Sequence, residues 1–468
     1  MGTKRQIKNK KPEVFLQIFR AYDIRGLYGT ELNSAVAVDI GKSLASYLDN
    51  GSKIALARDH RQSSRPLRDA FVKGALMQGL QVIDYGTIPT PILYYSIINQ
   101  KLDGGTMITA SHNPPDWNGF KLCKSGAEMI SENHGMEEFK KIFTAKKFEN
   151  AEEGKLTREF NAVNSYIRHI AKITKLERKI KVVIDSGNGE WSRIARKLFG
   201  ELGCTAIEIN GRPDPRYSAR GTDPTESALS NLKKKVVKHS ADFGVGYDAD
   251  GDRATFVDDK GNYVGRADRI MSLFLLHLFG DTLAGKKVIY DVPCSNIVED
   301  ITRKLNGIPI ISRTGHSYIM DKMKEESAVL GGEYSNHIYF GDNFNLDDGA
   351  FTSVKMAELL SKGQTSLSDL LKKLPIYHTV PVYEVYCSDE IKFKVVELVT
   401  SGFQTQGFKK IVNVDGVKVF SEDGWVLVRV SNTMPQIKIN SEAKTQEAAM
   451  KLFETARKIV QDKIAEFD

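Results

Sequence analysis

The sequence predicts an α/β protein of several domains, the last of them α+β. Three observations carry that prediction. A buried-type apolar run followed by a segment of helical period recurs in three successive stretches, 1–160, 161–264 and 265–377. Beyond Tyr377 the period changes to short alternating strands closed by one long amphipathic helix, which marks 378–468 as a smaller α+β domain. Finally, 468 residues are too many for one hydrophobic core, because single cores stop growing at roughly 250–300 residues.

In the first stretch, Ile18 to Gly26 reads as a strand passing into a glycine turn, with Arg20 and Arg25 near its end. A guanidinium fork there suits a phosphate or carboxylate, although an ordinary surface ion pair reads equally well. The apolar spacing from Ala35 to Leu48 is helical, Lys53 to Ala57 is a buried strand, and a helix over Pro66 to Gly79 with a strand over Gln81 to Asp84 continues the alternation. Gly104 to Ile108 is another short apolar run, so Ser111 sits on the loop leaving a strand's carboxyl end, where open α/β sheets place their chemistry. Pro114, Pro115 and the pair Asn118-Gly119 break regular structure, which leaves a loop on which Ser111, His112 and Lys121 can converge. The G-x-S-x-G elbow of hydrolases is missing and no acidic partner stands at a telling spacing, so the serine reads as a phosphate carrier.

The second stretch opens on a buried strand, Lys181 to Asp185, followed by the glycine loop Ser186-Gly187-Asn188-Gly189 and a helix from Trp191 to Leu202. With Glu208 it imitates a dinucleotide-binding fingerprint, but Ser192 falls at the third small position. Further on, Asp248, Asp250 and Asp252 alternate around Gly251 between two apolar strands. Three carboxylates aimed at one centre repel unless a cation joins them, and Mg²⁺ suits hard oxygen ligands of this kind. A calcium-sensor loop would need glycine where Arg253 stands and glutamate where Asp259 stands.

The third stretch alternates a helix over Ala267 to Phe279, a strand over Lys287 to Asp291, a helix over Ile297 to Leu305 and a strand over Pro309 to Ser312, then reaches the loop of Arg313 to Tyr318 with His316. After Gly331 and Gly332 come Glu333, Ser335 and His337, groups able to grip vicinal hydroxyls, although Glu333 alone reads equally well as a surface residue. In the fourth, strands are expected over Val380 to Tyr386, Ile411 to Asn413, Val417 to Phe420 and Trp425 to Val430, and a helix over Thr445 to Phe467. Arg429, Ser431, Asn432 and Thr433 crowd one turn as a phosphate cradle would.

Composition bounds the function. A net charge of +7 spread along the chain, with only small groupings such as Lys233 to Lys235, is not a nucleic-acid track. The four cysteines are far apart and lack a C-x-x-C pair, which predicts free thiols in a reducing compartment. The most apolar window, Ile270 to Phe279, is too short to span a bilayer and contains His277, and the basic start of the chain runs through Lys8 to Lys11 without an apolar core. A cytoplasmic protein with no membrane or nucleic-acid partner is expected.

Taken in order, Thr109-Ala110-Ser111-His112-Asn113-Pro114-Pro115, Asp248-Ala249-Asp250-Gly251-Asp252-Arg253, Gly332-Glu333-Tyr334-Ser335-Asn336-His337 and Arg429-Val430-Ser431-Asn432-Thr433 resemble the loops of the α-D-phosphohexomutase superfamily, and most of all its phosphomannomutase/phosphoglucomutase group. The resemblance covers nearly the whole chain. It implies three similar mixed-sheet α/β domains and a smaller C-terminal α+β domain around a central cleft, each contributing one loop. It further implies that Ser111 carries a phosphate, that Asp248, Asp250 and Asp252 hold Mg²⁺ together with it, that Arg25, His112 and Lys121 surround the phosphoryl group, and that Arg253 is a substrate-site arginine. By the same resemblance Glu333, Ser335, His337 and His316 contact a sugar, while Arg429, Ser431, Asn432 and Thr433 bind the other phosphate. The implied reaction interconverts hexose 1-phosphate and hexose 6-phosphate, of mannose or glucose, through a hexose 1,6-bisphosphate that also serves as activator. Tyr334 and Asn336 depart from the Met and Gly common in that group, which leaves a phosphoglucosamine mutase as the alternative. A dinucleotide-dependent oxidoreductase and a non-catalytic sugar-phosphate sensor are the alternatives of other classes.

Overall fold

The computed structural model describes residues 16–148, 151–431 and 434–467. Two compact units account for them: residues up to Gly265 together with Leu346–Leu367, and Arg266–Asn345 together with the residues from Ser368 on.

Each unit contains two sheets. In the first unit, strands β1 (Ile24–Leu27), β2 (Lys53–Arg58), β3 (Gln81–Thr87), β4 (Gly104–Ile108), β5 (Trp117–Lys124) and β6 (Leu156–Arg158) lie in the order β1-β5-β4-β2-β3-β6. Neighbours pair in parallel from β4 to β6, and β5 runs antiparallel to both β4 and β1. The interior parallel strands β2 and β4 are mostly apolar and buried along their length, as parallel strands covered by helices must be. Helix Ser34–Leu48 begins where Asn33 accepts the amides of Ala35 and Val36 at 3.0 and 3.1 Å, and it turns Val36, Ile40 and Leu44 into the core.

Two expectations fail in this sheet. Asn118 and Gly119 lie inside β5 rather than in a loop, and Gly26 lies inside β1 rather than at a turn. The irregular segment therefore ends at Asp116, and Lys121 projects from a strand paired through Met107 to β4. Tertiary fit overrides turn propensity here. Gly119 stands opposite Arg25, where a Cβ would come within 2.2 Å of the Ile24 carbonyl, and the buried Asn118 amide donates to Ser63 and Ser64 at 2.7 and 2.9 Å.

The second sheet comprises β7 (Lys181–Asp185), β8 (Thr205–Ile209), β9 (Phe243–Tyr247), β10 (Ala254–Asp258) and β11 (Tyr263–Val264), in the order β11-β10-β9-β7-β8. Strands β9, β7 and β8 pair in parallel, with β8 at the edge. The helix expected from Trp191 starts at Ile194, because Trp191 is fully buried and its indole donates to the Gly251 carbonyl at 2.8 Å. Helix Gly349–Ser361, which the sequence reading passed over, belongs by its contacts to this unit although it lies within the third stretch of the chain. It approaches so closely that a Cβ on Gly349 would stand 2.7 Å from the Arg253 carbonyl.

In the second unit, β12 (Lys287–Asp291), β13 (Ile308–Ser312), β14 (Leu330–Gly332) and β15 (Ile338–Phe340) form a mixed sheet in the order β13-β12-β14-β15. The helix expected to run to Phe279 is α-helical only over Ala267–Phe274 and widens into a π turn over Leu275–Phe279. Strands β16 (His378–Tyr386), β17 (Lys410–Val412), β18 (Val417–Phe420), β19 (Gly424–Val430) and β20 (Gln436–Ala443) form an antiparallel sheet in the order β16-β20-β19-β18-β17. Helices Lys392–Thr405 and Gln446–Ala465 cover one face through Val395, Val399, Phe403, Ala456 and Val460, which makes this domain α+β.

Candidate functional site

Ser111 lies on the loop after β4 with φ 48°, a left-handed conformation that costs a serine free energy and persists where the surroundings impose it. Its amide donates to Thr109 Oγ1 at 2.9 Å, and Arg61 donates to its carbonyl at 2.6 Å. The same guanidinium reaches the carbonyls of Asn113 at 2.7 Å and Trp117 at 3.2 Å, while Asp59 accepts from its Nε at 2.9 Å. Fully buried, Arg61 is the frame of the serine loop. Sequence reasoning missed it because its partners are carbonyls about 50 residues away, which leave no signal in residue type.

Ser111 Oγ is 3.1 Å from Asp248 Oδ2 and 3.3 Å from His112 Nδ1. The acidic partner that the sequence does not reveal stands 137 positions along the chain, at the end of β9. Arg253 donates through Nε to the same Asp248 oxygen at 3.0 Å, Lys121 Nζ reaches Asp250 and Asp252 at 2.7 and 2.5 Å, and Arg25 bonds Asp23 at 2.7 Å and Asn113 at 3.0 Å. The first unit thus gathers Arg25, Ser111, His112, Lys121, Asp248, Asp250, Asp252 and Arg253. Burial would lower the Lys121 ammonium, but Asp250, Asp252 and Asp347 outweigh it and hold it above its usual range. The Arg25 guanidinium is likewise raised, burial being offset by Asp23 and the two aspartates.

Oxygens of Asp248, Asp250 and Asp252 lie within 4.8 Å of one another, and all three side chains are buried. Burial, with Asp252 beside it, pushes the Asp248 carboxyl well above the usual carboxylate range. Asp250 Oδ1 is buried with no hydrogen-bond partner among the described residues, although its other oxygen accepts from Thr90 at 2.8 Å and from Lys121. An all-carboxylate donor set with an oxygen to spare fits a hard cation.

The second unit holds the remaining residues. Glu333, on the turn between β14 and β15, is 3% exposed and accepts from Tyr339 at 2.5 Å and from Ser335 at 3.4 Å. His316 opens helix His316–Glu326, and its ring lies 6.2 Å from that of His337. Asp291, at the end of β12, accepts from the Tyr334 amide at 3.0 Å and from Thr314 at 3.2 Å, and burial raises its carboxyl to about 6. Arg429 donates to Thr314 and Asp415, both at 3.2 Å, and Lys392 donates to the Ser431 carbonyl at 2.7 Å. Asn432 and Thr433 lie outside the described residues. The exposed ring of Tyr334 lies 5.1 Å from the Arg266 guanidinium, which is also paired with Asp268 at 2.6 Å.

All four cysteines are free, and no helix among the described residues is long and apolar enough to cross a membrane. Glu208, the acid of the apparent dinucleotide fingerprint, accepts from Ser186 at 2.7 Å and from the Arg193 amide at 2.8 Å, so it ties its own loop.

Four family profiles match along the chain: the Phosphoglucomutase/phosphomannomutase alpha/beta/alpha domain I over 16–150, domain II over 164–261, domain III over 266–377, and the C-terminal domain over 390–459. A phosphomannomutase/phosphoglucomutase of Pseudomonas syringae pv. tomato is 34% identical over 92% of each chain. A Methanopyrus kandleri protein named "Probable phosphoglucosamine mutase" is 32% identical over 93% of this chain and 95% of its own. The crystal structure of a phosphoglucomutase/phosphomannomutase family protein from Burkholderia thailandensis superposes with a TM-score of 0.88 at 30% identity, covering 95% of this chain and 97% of the other. The order of the four domains, the identity over nearly the full length and the shared fold together establish that the chain belongs to the phosphoglucomutase/phosphomannomutase family of isomerases.

Proposed function

We propose that the chain interconverts hexose 1-phosphate and hexose 6-phosphate through a phosphorylated Ser111 and a hexose 1,6-bisphosphate, which also primes the resting enzyme. The observation that carries this reading is the strained Ser111, its hydroxyl 3.1 Å from Asp248, the carboxylate that Arg253 also binds at 3.0 Å. In the first transfer the bond between Ser111 Oγ and phosphorus breaks as a sugar hydroxyl oxygen bonds to the phosphorus; in the second, the other sugar oxygen–phosphorus bond of the bisphosphate breaks as Ser111 Oγ bonds to that phosphorus, which restores the phosphoserine and releases the isomeric monophosphate. The hydroxyl proton passes to a nearby base in the first transfer and returns to the leaving oxygen in the second; His112 Nδ1, 3.3 Å from Oγ, is assigned that role because Asp248, at 3.1 Å, is assigned to the metal. Lys121, Arg25 and Arg253 bring fixed positive charge to where phosphoryl oxygens gather negative charge, which is how phosphoryl transfer is mostly catalysed. Asp248, Asp250 and Asp252, with the Ser111 phosphate, would hold Mg²⁺, which when bound would add a divalent charge to that neutralisation.

Glu333, Ser335, His337 and His316 supply acceptors and donors for sugar hydroxyls, and Arg429, Ser431, Asn432 and Thr433 a grip on the phosphate not being transferred. Mannose and glucose phosphates are the proposed substrates. The Tyr334 ring in the sugar loop favours testing glucosamine phosphate beside them. The free thiols accord with a cytoplasmic setting. Intact-mass and peptide analysis after incubation with glucose 1,6-bisphosphate should find one phosphate on Ser111, and Ser111→Ala should lose turnover by on the order of 10³-fold or more. Full activity in Ser111→Ala would sink the reading. A coupled assay on the three sugar 1-phosphates then ranks the substrates.

A further inference from the structure

His60 and Glu190 take no part in the chemistry above, yet they join the two loops that carry it. His60 stands between Asp59 and Arg61 on the turn after β2, and Glu190 stands on the loop after β7. His60 Nδ1 is ion-paired with Glu190 Oε2, and the His60 amide donates to Glu190 Oε1 at 2.8 Å. The Glu190 side chain is fully buried, whereas that of His60 is 25% exposed. On its other side the Glu190 amide donates at 2.9 Å to the carbonyl of Ala249, the residue between Asp248 and Asp250. The Tyr217 hydroxyl reaches Glu190 Oε1 at 3.4 Å, while the Tyr217 ring lies 5.5 Å from the Arg61 guanidinium.

One residue therefore ties the turn that supports Arg61, and through Arg61 the Ser111 loop, to the turn that bears the aspartates. A second cross-tie runs parallel to it: Thr222 donates to the His112 carbonyl at 2.6 Å and accepts the Ala249 amide through its own carbonyl at 3.0 Å. A desolvated pair of this kind adds little to stability relative to an apolar one, so its consequence lies in geometry. The geometry concerned is the 3.1 Å separation of Ser111 Oγ from Asp248 Oδ2, which bridges the first sheet to the second.

We propose that His60 and Glu190 form a positioning pair that sets the spacing between the serine loop and the aspartate loop, and thereby governs the phosphoryl-transfer step rather than substrate binding. The inference rests on the phosphoserine reading. Glu190→Gln keeps the side chain's length and a carbonyl acceptor but removes its charge. In Glu190→Gln, kcat should fall on the order of 10- to 100-fold at unchanged KM, because small misplacements of reacting groups cost rate steeply. Amide hydrogen exchange should quicken in both 109–117 and 248–252, with 330–340 unchanged. Should Glu190→Gln fail to fold, His60→Asn, at the part-exposed end of the pair, provides the same two readings. Wild-type kcat, a change confined to KM, or exchange that quickens in neither segment or in only one would overturn the proposal. The exchange measurement needs no turnover, so a wild-type protein inactive on every hexose phosphate would count against the phosphoserine reading while the exchange data still decide the pair.

Discussion

Arg429 and Lys418 show how differently two cations in one sheet are employed. Arg429 donates to Thr314 and Asp415 from a side chain that is 25% exposed, and the phosphate grip proposed for it would use the exposed guanidinium edge. Arg429→Ala should depress kcat/KM for the 1-phosphate and the 6-phosphate alike by roughly 2–4 kcal/mol, and Arg429→Lys should recover only part, because a point charge cannot reproduce the fork. Steady-state assays in both directions check this, and wild-type rates would show the cradle to be misplaced. Lys418 is fully buried, donating to the carbonyls of Val292 at 2.8 Å and Cys294 at 3.1 Å, 4.0 Å from the Trp425 ring. Burial pushes its ammonium down from the usual 10.5 to about 8. Since the folded value lies below the unfolded one, the unfolded chain holds the proton more tightly, and this group's contribution to stability rises from about pH 8 to 10.5 and is lost as pH falls through 8. Tryptophan emission should titrate with a midpoint near pH 8 in the native protein and not in Lys418→Met. Identical titration curves would contradict the assignment. The sequence shows Ser111 and the three aspartates because residue type and local spacing carry them. It conceals Arg61, Lys418 and Glu190, whose meaning lies in partners distant along the chain.

At the scale of elements, β5 shows where local reading gives way. Asn118-Gly119 has the chemistry of a turn, yet β1 and β4 claim it as the strand between them. Gly119→Ala would press a methyl into the Ile24 and Thr109 carbonyls at 2.2 and 2.8 Å. Overpacking of this kind costs about 1–3 kcal/mol, and here it would also push β1, with Arg25, away from the serine loop. Thermal unfolding and kcat should therefore fall together in Gly119→Ala; an unchanged melting temperature would refute the packing argument. Runs such as Lys53–Arg58 and Lys287–Asp291 were legible because burial on both faces demands unbroken apolar sequence. Helix Gly349–Ser361 was not. It is buried nearly all round, so its sequence lacks the polar stripe that marks a surface helix.

At the scale of the whole molecule, the chain leaves the first unit after Gly265 and returns to it at Leu346. Within that unit the Asp348 carboxylate accepts from Tyr166 at 2.6 Å, and Ser353 meets the Tyr247 hydroxyl at 2.6 Å, both tyrosines being fully buried. A protein of residues 1–265 alone would expose those rings to water and lose two intramolecular hydrogen bonds, at about 0.5–1.5 kcal/mol for each beyond the lost burial. It should bind an apolar dye and melt well below a fusion in which a flexible linker joins Gly265 to residues 346–367. Equal melting of the two proteins would show the returning helix to be dispensable.

That return has a consequence for synthesis. A ribosome making this chain finishes the first two sheets and must then translate about 80 further residues before the helix that closes over Tyr166 and Tyr247 is made. At ~5–20 residues per second the interval is roughly 4–16 s. Throughout it the nascent first unit presents an aromatic surface whose cover has not been translated, which is long enough for a chaperone to bind or for a neighbouring chain to compete. The aspartate loop, against which Gly349 packs, can reach its final packing only after that interval ends.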